Sequence, residues 1–190
     1  MAKKKSTLNI ALVGNPNTGK TSLFNQLTGL NQKVGNYPGI TVERKVGTFK
    51  LPNGASASIS DLPGTYSVNP SSADENIVID TLLERDASQK PDIVLVVADV
   101  LNLKRNLFLL SQVMDLGYRT VLAINMSDQM EKRGITINPE VIEKNFGCSV
   151  VLVSMKKRTG LEDLKSLLQE SPIRELPFIF DLEKQNNKVY

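Results

Sequence analysis

The apolar run LNIALV (8–13) leads straight into Gly14-Asn15-Pro16-Asn17-Thr18-Gly19-Lys20-Thr21, a complete match to G-x4-G-K-[ST]. Few stretches constrain a fold as tightly. The motif requires a strand before it and a helix after it, so that the first N–H groups of that helix are free to meet an anion. The apolar run reads as the buried strand, and the pattern over 19–28 as the helix. Backbone N–H groups of the loop from Gly14 to Ser22, Pro16 excepted, then cradle phosphates. Lys20 reaches the β and γ phosphates, and Thr21 offers its hydroxyl to Mg²⁺. The loop does not say which base is bound.

The rest of the chain alternates apolar runs with helical stretches. The segments 42–51 and 55–62 alternate like sheet strands around Pro52-Asn53-Gly54, which predicts a hairpin. Further strands are predicted at 92–100, 119–125 and 150–154, and helices at 75–85, 103–116, 139–146 and 161–169. Leu107, Leu110 and Met114 share one helix face. Six strands and about five helices in this order predict an α/β, Ras-like P-loop fold. The sheet would be doubly wound and mostly parallel, with one antiparallel edge strand and helices on both faces. In such sheets the ligand lies at the carboxyl ends of the strands. Each motif below follows a strand.

Asn125-Met126-Ser127-Asp128 matches the guanine signature N-K-x-D except at its second position. A carboxylate here accepts from N1 and N2 of guanine. Adenine offers neither donor, and an unpaired buried carboxylate is costly. Asp128 is therefore the candidate specificity residue and Asn125 its brace. Met126 keeps an apolar stem for the purine face but loses the lysine charge, which predicts weaker nucleotide binding. Ser154-Met155-Lys156 occupies the place of the S-A-K element that supports guanine; a plain strand-to-helix loop is the alternative.

The stretch DLPGTYS (61–67) reads as a nucleotide switch. Asp61 holds Mg²⁺ through a water and the Gly64 N–H meets the γ-phosphate. Thr41, in GITVE, completes the Mg²⁺ shell as the other switch. In well-known small GTPases a Gln after the switch glycine orients the attacking water. Here Thr65 stands in that place, and its short side chain cannot do the same job. Taken together, these elements predict a P-loop GTPase of the translation-factor class, with Asn17, Lys20, Thr41 and Gly64 as its catalytic candidates.

Composition excludes little else. The formal net charge of +3 is too small to argue for nucleic acid. Lys3-Lys4-Lys5 reads as a solvated tail, with a membrane-surface or RNA contact as the alternative. There is no His, and Cys148 is the only Cys, so neither an internal disulfide nor a His/Cys metal cluster can form. The longest apolar stretch, IVLVVA (93–98), falls far short of the ~20 residues of a membrane helix.

Four runs together resemble the N-terminal G domain of the ferrous iron transport protein B (FeoB) family: G-N-P-N-x-G-K-T-x-L-F-N, N-Q-K-V-G-N-Y-P-G-I-T-V-E, D-L-P-G-T-Y-S and N-M-x-D. The resemblance covers about residues 8 to 170. It implies a flexible tail over 1–7, a GTP-binding domain over 8–170, and over 171–190 a linker with the start of a helical spacer. It implies a multi-pass membrane domain that moves Fe²⁺, with this domain soluble at the cytoplasmic face of the inner membrane. It also implies potassium. Related GTPases with Asn at the position of Asn17 hold K⁺ by that side chain and by switch carbonyls, which map here to Gly35 and Tyr37. Such a fixed cation does the work of an arginine finger, which contributes roughly 10³ to 10⁵ in rate. Tyr37 departs from the family's frequent Trp, and Met155 and Lys156 are unusual.

The expected activity is slow, K⁺-stimulated conversion of GTP to GDP and phosphate with Mg²⁺, coupled to Fe²⁺ uptake. Guanine nucleotide, the spacer and the membrane domain are the expected partners, a homo-oligomer is allowed, and no nucleic acid is expected. Two alternatives stay open. One is a soluble GTPase of ribosome assembly or tRNA modification, which shares N-P-N-x-G-K. The other is a binding module that senses nucleotide state with negligible turnover.

Overall fold

The sheet has seven strands in the order β2-β3-β4-β1-β5-β6-β7. The structure, a computed structural model, describes residues 7–37, 42–68, 73–84 and 90–170. The strands are β1 (Thr7–Gly14), β2 (Gln32–Asn36), β3 (Glu43–Lys50), β4 (Ser56–Asp61), β5 (Ile93–Asp99), β6 (Thr120–Asn125) and β7 (Ser149–Leu152). The helices are α1 (Lys20–Thr28), α2 (Ala73–Leu82), α3 (Leu103–Asp115), α4 (Met130–Arg133), α5 (Pro139–Phe146) and α6 (Leu161–Glu170).

The predicted Ras-like α/β fold is the observed one, with one strand more than the sequence suggests. β1 pairs in parallel with β4 and β5, β5 with β6, and β6 with β7. β3 runs antiparallel to both β2 and β4. The antiparallel strand is therefore one place in from the edge, and the edge is β2. Its sequence QKVGN carries one branched apolar residue, Val34, which is 60% exposed. A strand paired on one side with both faces wet has no period-2 pattern to read.

The central strands show why the fold is specified. Ile10 and Leu12 of β1, and Ile93, Leu95 and Val97 of β5, face Leu23, Phe24 and Leu27 of α1 and Leu164 and Leu168 of α6. The alternating Ala11, Val13, Val94, Val96 and Ala98 face Val78 and Leu82 of α2 and Leu109, Leu110, Val113 and Met114 of α3. Each large buried side chain contributes about 1.5–3 kcal/mol. A one-residue register slip would send every one of them to the wrong layer.

That register also lines up the functional ends. Leu12 pairs with Asp61, Gly14 with Val97, and Asp99 with Asn125. The loop after β1, the Asp61 carboxylate and the segment after β6 thus emerge together at the carboxyl ends of their strands.

Candidate functional site

Close packing fixes the loop between β1 and α1. A Cβ on Gly14 would lie 2.6 Å from the Val97 carbonyl oxygen, and one on Gly19 2.2 Å from Asn125 Nδ2. Gly19 also has φ +87, which favours glycine. Asn17 takes the left-handed conformation at φ 66, tolerated better by Asn than by most residues. Thr18 is fully buried and its hydroxyl donates to the Asn15 carbonyl at 2.9 Å. No side chain caps α1, and its first turn holds no acidic residue. The amino end of α1 therefore presents donors and positive potential to the cavity before it.

That cavity measures about 600 Å³. It is lined by Asn15, Pro16, Asn17, Gly19, Lys20, Thr21 and Ser22, with Gly64 and Met126 on its sides. Gly64 lies close against the loop, since a Cβ there would meet Pro16 Cγ at 3.2 Å. The backbone N–H of Thr65 donates to the Gly14 carbonyl at 3.2 Å.

Charge gathers at one end of the site. Lys20 Nζ pairs with Asp61 Oδ1 at 2.7 Å, and the Thr21 hydroxyl donates to Asp61 Oδ2 at 3.0 Å. Asp61 is buried. A hydroxyl and a carboxylate side by side are hard oxygen donors, and Mg²⁺ commonly takes one or two protein oxygens and leaves the rest of its shell to phosphates and water. No group of three or more His, Cys, Asp or Glu residues that could hold a metal occurs among the described residues. The donor set fits Mg²⁺ shared with a phosphate ligand, not a metal caged by protein alone.

A second group of candidates interlocks around Asn125 and Asp128. Asn125 is buried; its amide donates to the Thr18 carbonyl at 2.9 Å and its Oδ1 accepts from the Met155 N–H at 3.1 Å. Gln26 of α1 donates to the Met155 carbonyl at 2.6 Å. The Ser154 hydroxyl donates to Asp128 Oδ1 at 2.6 Å, and Gln129 Nε2 to Asp128 Oδ2 at 2.8 Å. Those bonds, Ser154 first, hold the Asp128 carboxyl below the usual carboxylate range against its partial desolvation, and the Lys156 charge adds to the effect. Met126 has φ 64, left-handed for a non-glycine residue. Such strain costs on the order of 1–3 kcal/mol and persists where the surroundings hold it.

The structure brings some candidates together and leaves others apart. The loop residues other than Gly14 and Thr18 share the cavity with Gly64 and Met126, while Asn125, Asp128, Ser154 and Met155 are joined to one another and, through Asn125, to Thr18 of the loop. Lys156 is exposed. Gly35 lies in β2, in register with Arg44, and Tyr37 just beyond, where its N–H donates to the Val42 carbonyl at 3.0 Å; neither lines the cavity. Burial raises the Tyr37 phenol above its ordinary value; the Arg44 guanidinium opposes this and the Asp61 carboxylate reinforces it. Thr41 lies outside the described residues, as do the tail at 1–6 and the segment 171–190.

Thr65 is fully buried. Its hydroxyl lies 2.6 Å from the Ser67 carbonyl oxygen and 3.0 Å from Glu75 Oε1. The side chain is spent on the turn and on α2. Sequence reasoning missed Gln26 and Gln129, because nothing distinguishes a polar helix or loop residue that turns inward. It also missed Asp99, which accepts from the N–H groups of Leu101 and Asn102 and starts the turn before α3. An Asp just before a helical pattern was the available signal.

A family profile described as ferrous iron transport protein B (FeoB_N) matches residues 8–168. The chain is 45% identical over 162 residues to the Fe(2+) transporter FeoB of Leptospira biflexa, covering 85% of this chain and 23% of that protein. It is 43% identical over 162 residues to the Fe(2+) transporter FeoB of Escherichia coli K12, covering 83% and 20%. It thus spans about a fifth of the length of these curated relatives. The solved G domain of the T. maritima FeoB iron transporter is similar at TM-score 0.79 and 41% identity, over 87% of this chain and 98% of that one. The cytosolic domain of the same transporter in its GMPPNP form is similar at TM-score 0.81 and 42% identity, over 86% and 63%. A GDP-bound S. thermophilus NFeoB mutant is similar at TM-score 0.82 and 39% identity, over 94% and 68%.

Proposed function

This chain belongs to the N-terminal family of ferrous iron transport protein B, and on that premise we propose that it binds guanine nucleotides and hydrolyses GTP to GDP and phosphate. The observation that carries the reading is the bond from Asn125 to Thr18, which locks a base-reading segment onto a phosphate loop in one rigid arrangement. Solved relatives bear the names of GDP and GMPPNP forms, which supports a guanine nucleotide as ligand.

The residues divide the work. Loop N–H groups from Gly14 to Ser22, Pro16 excepted, and the amino end of α1 hold the phosphates. Lys20 leaves Asp61 for the β and γ oxygens and balances charge as it develops there. Asp128 accepts from guanine, braced by Asn125 and flanked by Ser154, Met155 and Lys156, with Met126 on the purine face. The Gly64 N–H meets the γ-phosphate. Thr21 and Asp61, with Thr41 from the switch, would hold Mg²⁺, which would supply positive charge to the phosphate oxygens. Asn17 would hold K⁺ together with the Gly35 and Tyr37 carbonyls only once those carbonyls come to the cavity, which they do not line here; the ion would supply the charge an arginine finger supplies elsewhere. Thr65 takes no part in orienting water; its burial supports this.

In the larger protein, residues 8–170 form the G domain. A helical spacer and a multi-pass membrane domain follow, and GTP state regulates or drives Fe²⁺ uptake from the cytoplasmic face of the inner membrane. The names of the curated relatives favour this over a soluble ribosome-assembly GTPase. Among the described residues no helix is long and apolar enough to cross a membrane.

Phosphate release tests the base assignment. The chain is expected to hydrolyse GTP and not ATP, and Asp128→Asn to exchange GTP for xanthosine triphosphate, whose 2-oxo group needs a donor in place of an acceptor. Equal use of ATP, or no exchange in the variant, would remove the guanine reading.

A further inference from the structure

A second cavity, of about 290 Å³, adjoins the phosphate cavity. The two share Asn15, Pro16, Asn17 and Met126, so the phosphate loop is their common wall. The far wall is built by Asp99 at the end of β5, by Asn102 and Arg105 at the entry to α3, and by Tyr66 of the switch. Two side chains there have polar groups without partners. Asn15 is 2% exposed, and neither its Nδ2 nor its Oδ1 has a hydrogen-bond partner. A buried polar group left in that state costs about 1–3 kcal/mol. The Arg105 guanidinium stacks on the Tyr66 ring, 3.8 Å from its centroid, and makes no hydrogen bond or ion pair with the described residues. Stacking uses the face of a guanidinium and leaves its N–H edges to donate. Asp99 is different: it is buried, and its Oδ1 accepts from the N–H groups of Leu101 and Asn102. Its Oδ2 meets only Asn102 Nδ2, at 3.1 Å, and keeps an acceptor position.

From this arrangement we infer that the second cavity is a subsite for inorganic phosphate, held by Arg105 and Asn15 as it leaves the neighbouring nucleotide cavity. The inference rests on the reading that the chain hydrolyses GTP. Both residues line one small cavity, so a single ion meets both. Arg105 offers N–H groups in the fork that suits a tetrahedral oxyanion. Asn15 Nδ2 donates to a further oxygen. Asn15 Oδ1 needs a donor, and inorganic phosphate keeps a hydroxyl at neutral pH that supplies one. The Asp99 charge disfavours any oxyanion that carries no proton, and its free acceptor position on Oδ2 suits a hydroxyl as well. Sulfate has the same tetrahedral shape and no hydroxyl to give. It would leave Asn15 Oδ1 unpaired and face the Asp99 carboxylate uncompensated, so the cavity prefers phosphate.

The test is calorimetric titration of inorganic phosphate into the full 190-residue chain saturated with GDP. Sulfate at equal ionic strength is the control, and Arg105→Gln is the variant. Arg105 is exposed, so the change leaves the core alone, and an unchanged GDP affinity verifies that the nucleotide site is intact. The parent chain is expected to bind phosphate at least about fivefold more tightly than sulfate, and the variant to lose at least about fivefold in phosphate affinity. Phosphate binding that ignores Arg105→Gln would put the ion in the nucleotide cavity and overturn the inference. So would equal binding of sulfate, or no binding of phosphate at all. Hydrolysis of GTP is followed alongside. If GTP is hydrolysed while phosphate binding ignores Arg105, the GTPase reading stands and only the subsite is lost. If no phosphate forms from GTP, the reading beneath the inference has failed.

Discussion

Asn125 donates its side-chain amide to the carbonyl of Thr18 over 2.9 Å, joining the end of β6 to the phosphate loop. The same side chain accepts from the Met155 N–H at 3.1 Å. One buried amide therefore ties three segments of the site together. Asn125→Ala removes both bonds and leaves the Thr18 carbonyl and the Met155 N–H without their partner. Unfolding stability should fall by about 2 kcal/mol, at roughly 1 kcal/mol per bond, and GDP binding should weaken by about tenfold or more. Urea unfolding and nucleotide titration read the two effects separately; full stability with intact binding would show that the tie is dispensable.

Gly19 meets the same amide from the other side. A Cβ there would fall 2.2 Å from Asn125 Nδ2, at a φ of +87. Gly19→Ala should cost at least about 1–2 kcal/mol from the left-handed backbone alone, with the clash added. Combining it with Asn125→Ala relieves the clash, so the double variant should be less destabilised than the two single losses summed. Strict additivity in urea unfolding would mean that the two residues do not press on each other.

Thr65 stands where a water-orienting Gln would give fast hydrolysis, yet it is fully buried and its hydroxyl meets Ser67 and Glu75. Thr65→Gln should therefore fail to accelerate GTP hydrolysis. The longer side chain overpacks the turn, which typically costs about 1–3 kcal/mol. A rise in kcat of about tenfold or more in this variant would show that position 65 does reach the attacking water.

If Asp128 reads the base as proposed, it carries the pH dependence of that recognition. Hydrogen bonding favours its charged form, so its pKa in the folded chain lies below the unfolded value of ~3.9. Its contribution is present above that value and is lost as pH falls through the lowered one. Ser154→Ala removes the largest cause of the lowering. Loss of GDP binding on acidification should then begin at higher pH than in the parent chain. Binding titrations at descending pH check this, and superimposable profiles would assign the shift to another cause.

Much of this was legible in the sequence, for physical reasons. The phosphate loop is a contiguous motif whose glycines answer steric needs: Gly14 against Val97 and Gly19 against Asn125. The central strands advertised their burial through unbroken apolar runs such as β5. β2 stayed hidden because an edge strand with wet faces carries no hydrophobic period. Gln26 and Gln129 stayed hidden because their roles depend on which way a flexible amide turns, and that is settled by partners far away or by a left-handed turn at Met126. The inward turn of Thr65 was beyond reach for a related reason, since its partner Glu75 lies 10 residues further along the chain, in α2.

The central claim is a GTPase whose missing Gln is compensated by a cation held at Asn17. The most direct measurement is GTP hydrolysis by this chain at equal ionic strength in KCl and in NaCl, with Asn17→Ala beside it. The account predicts a rate at least about tenfold higher in KCl, within the span open to a fixed positive charge, and no such rise in the variant. Equal and very slow rates in the two salts would contradict it and leave a nucleotide-sensing module in its place.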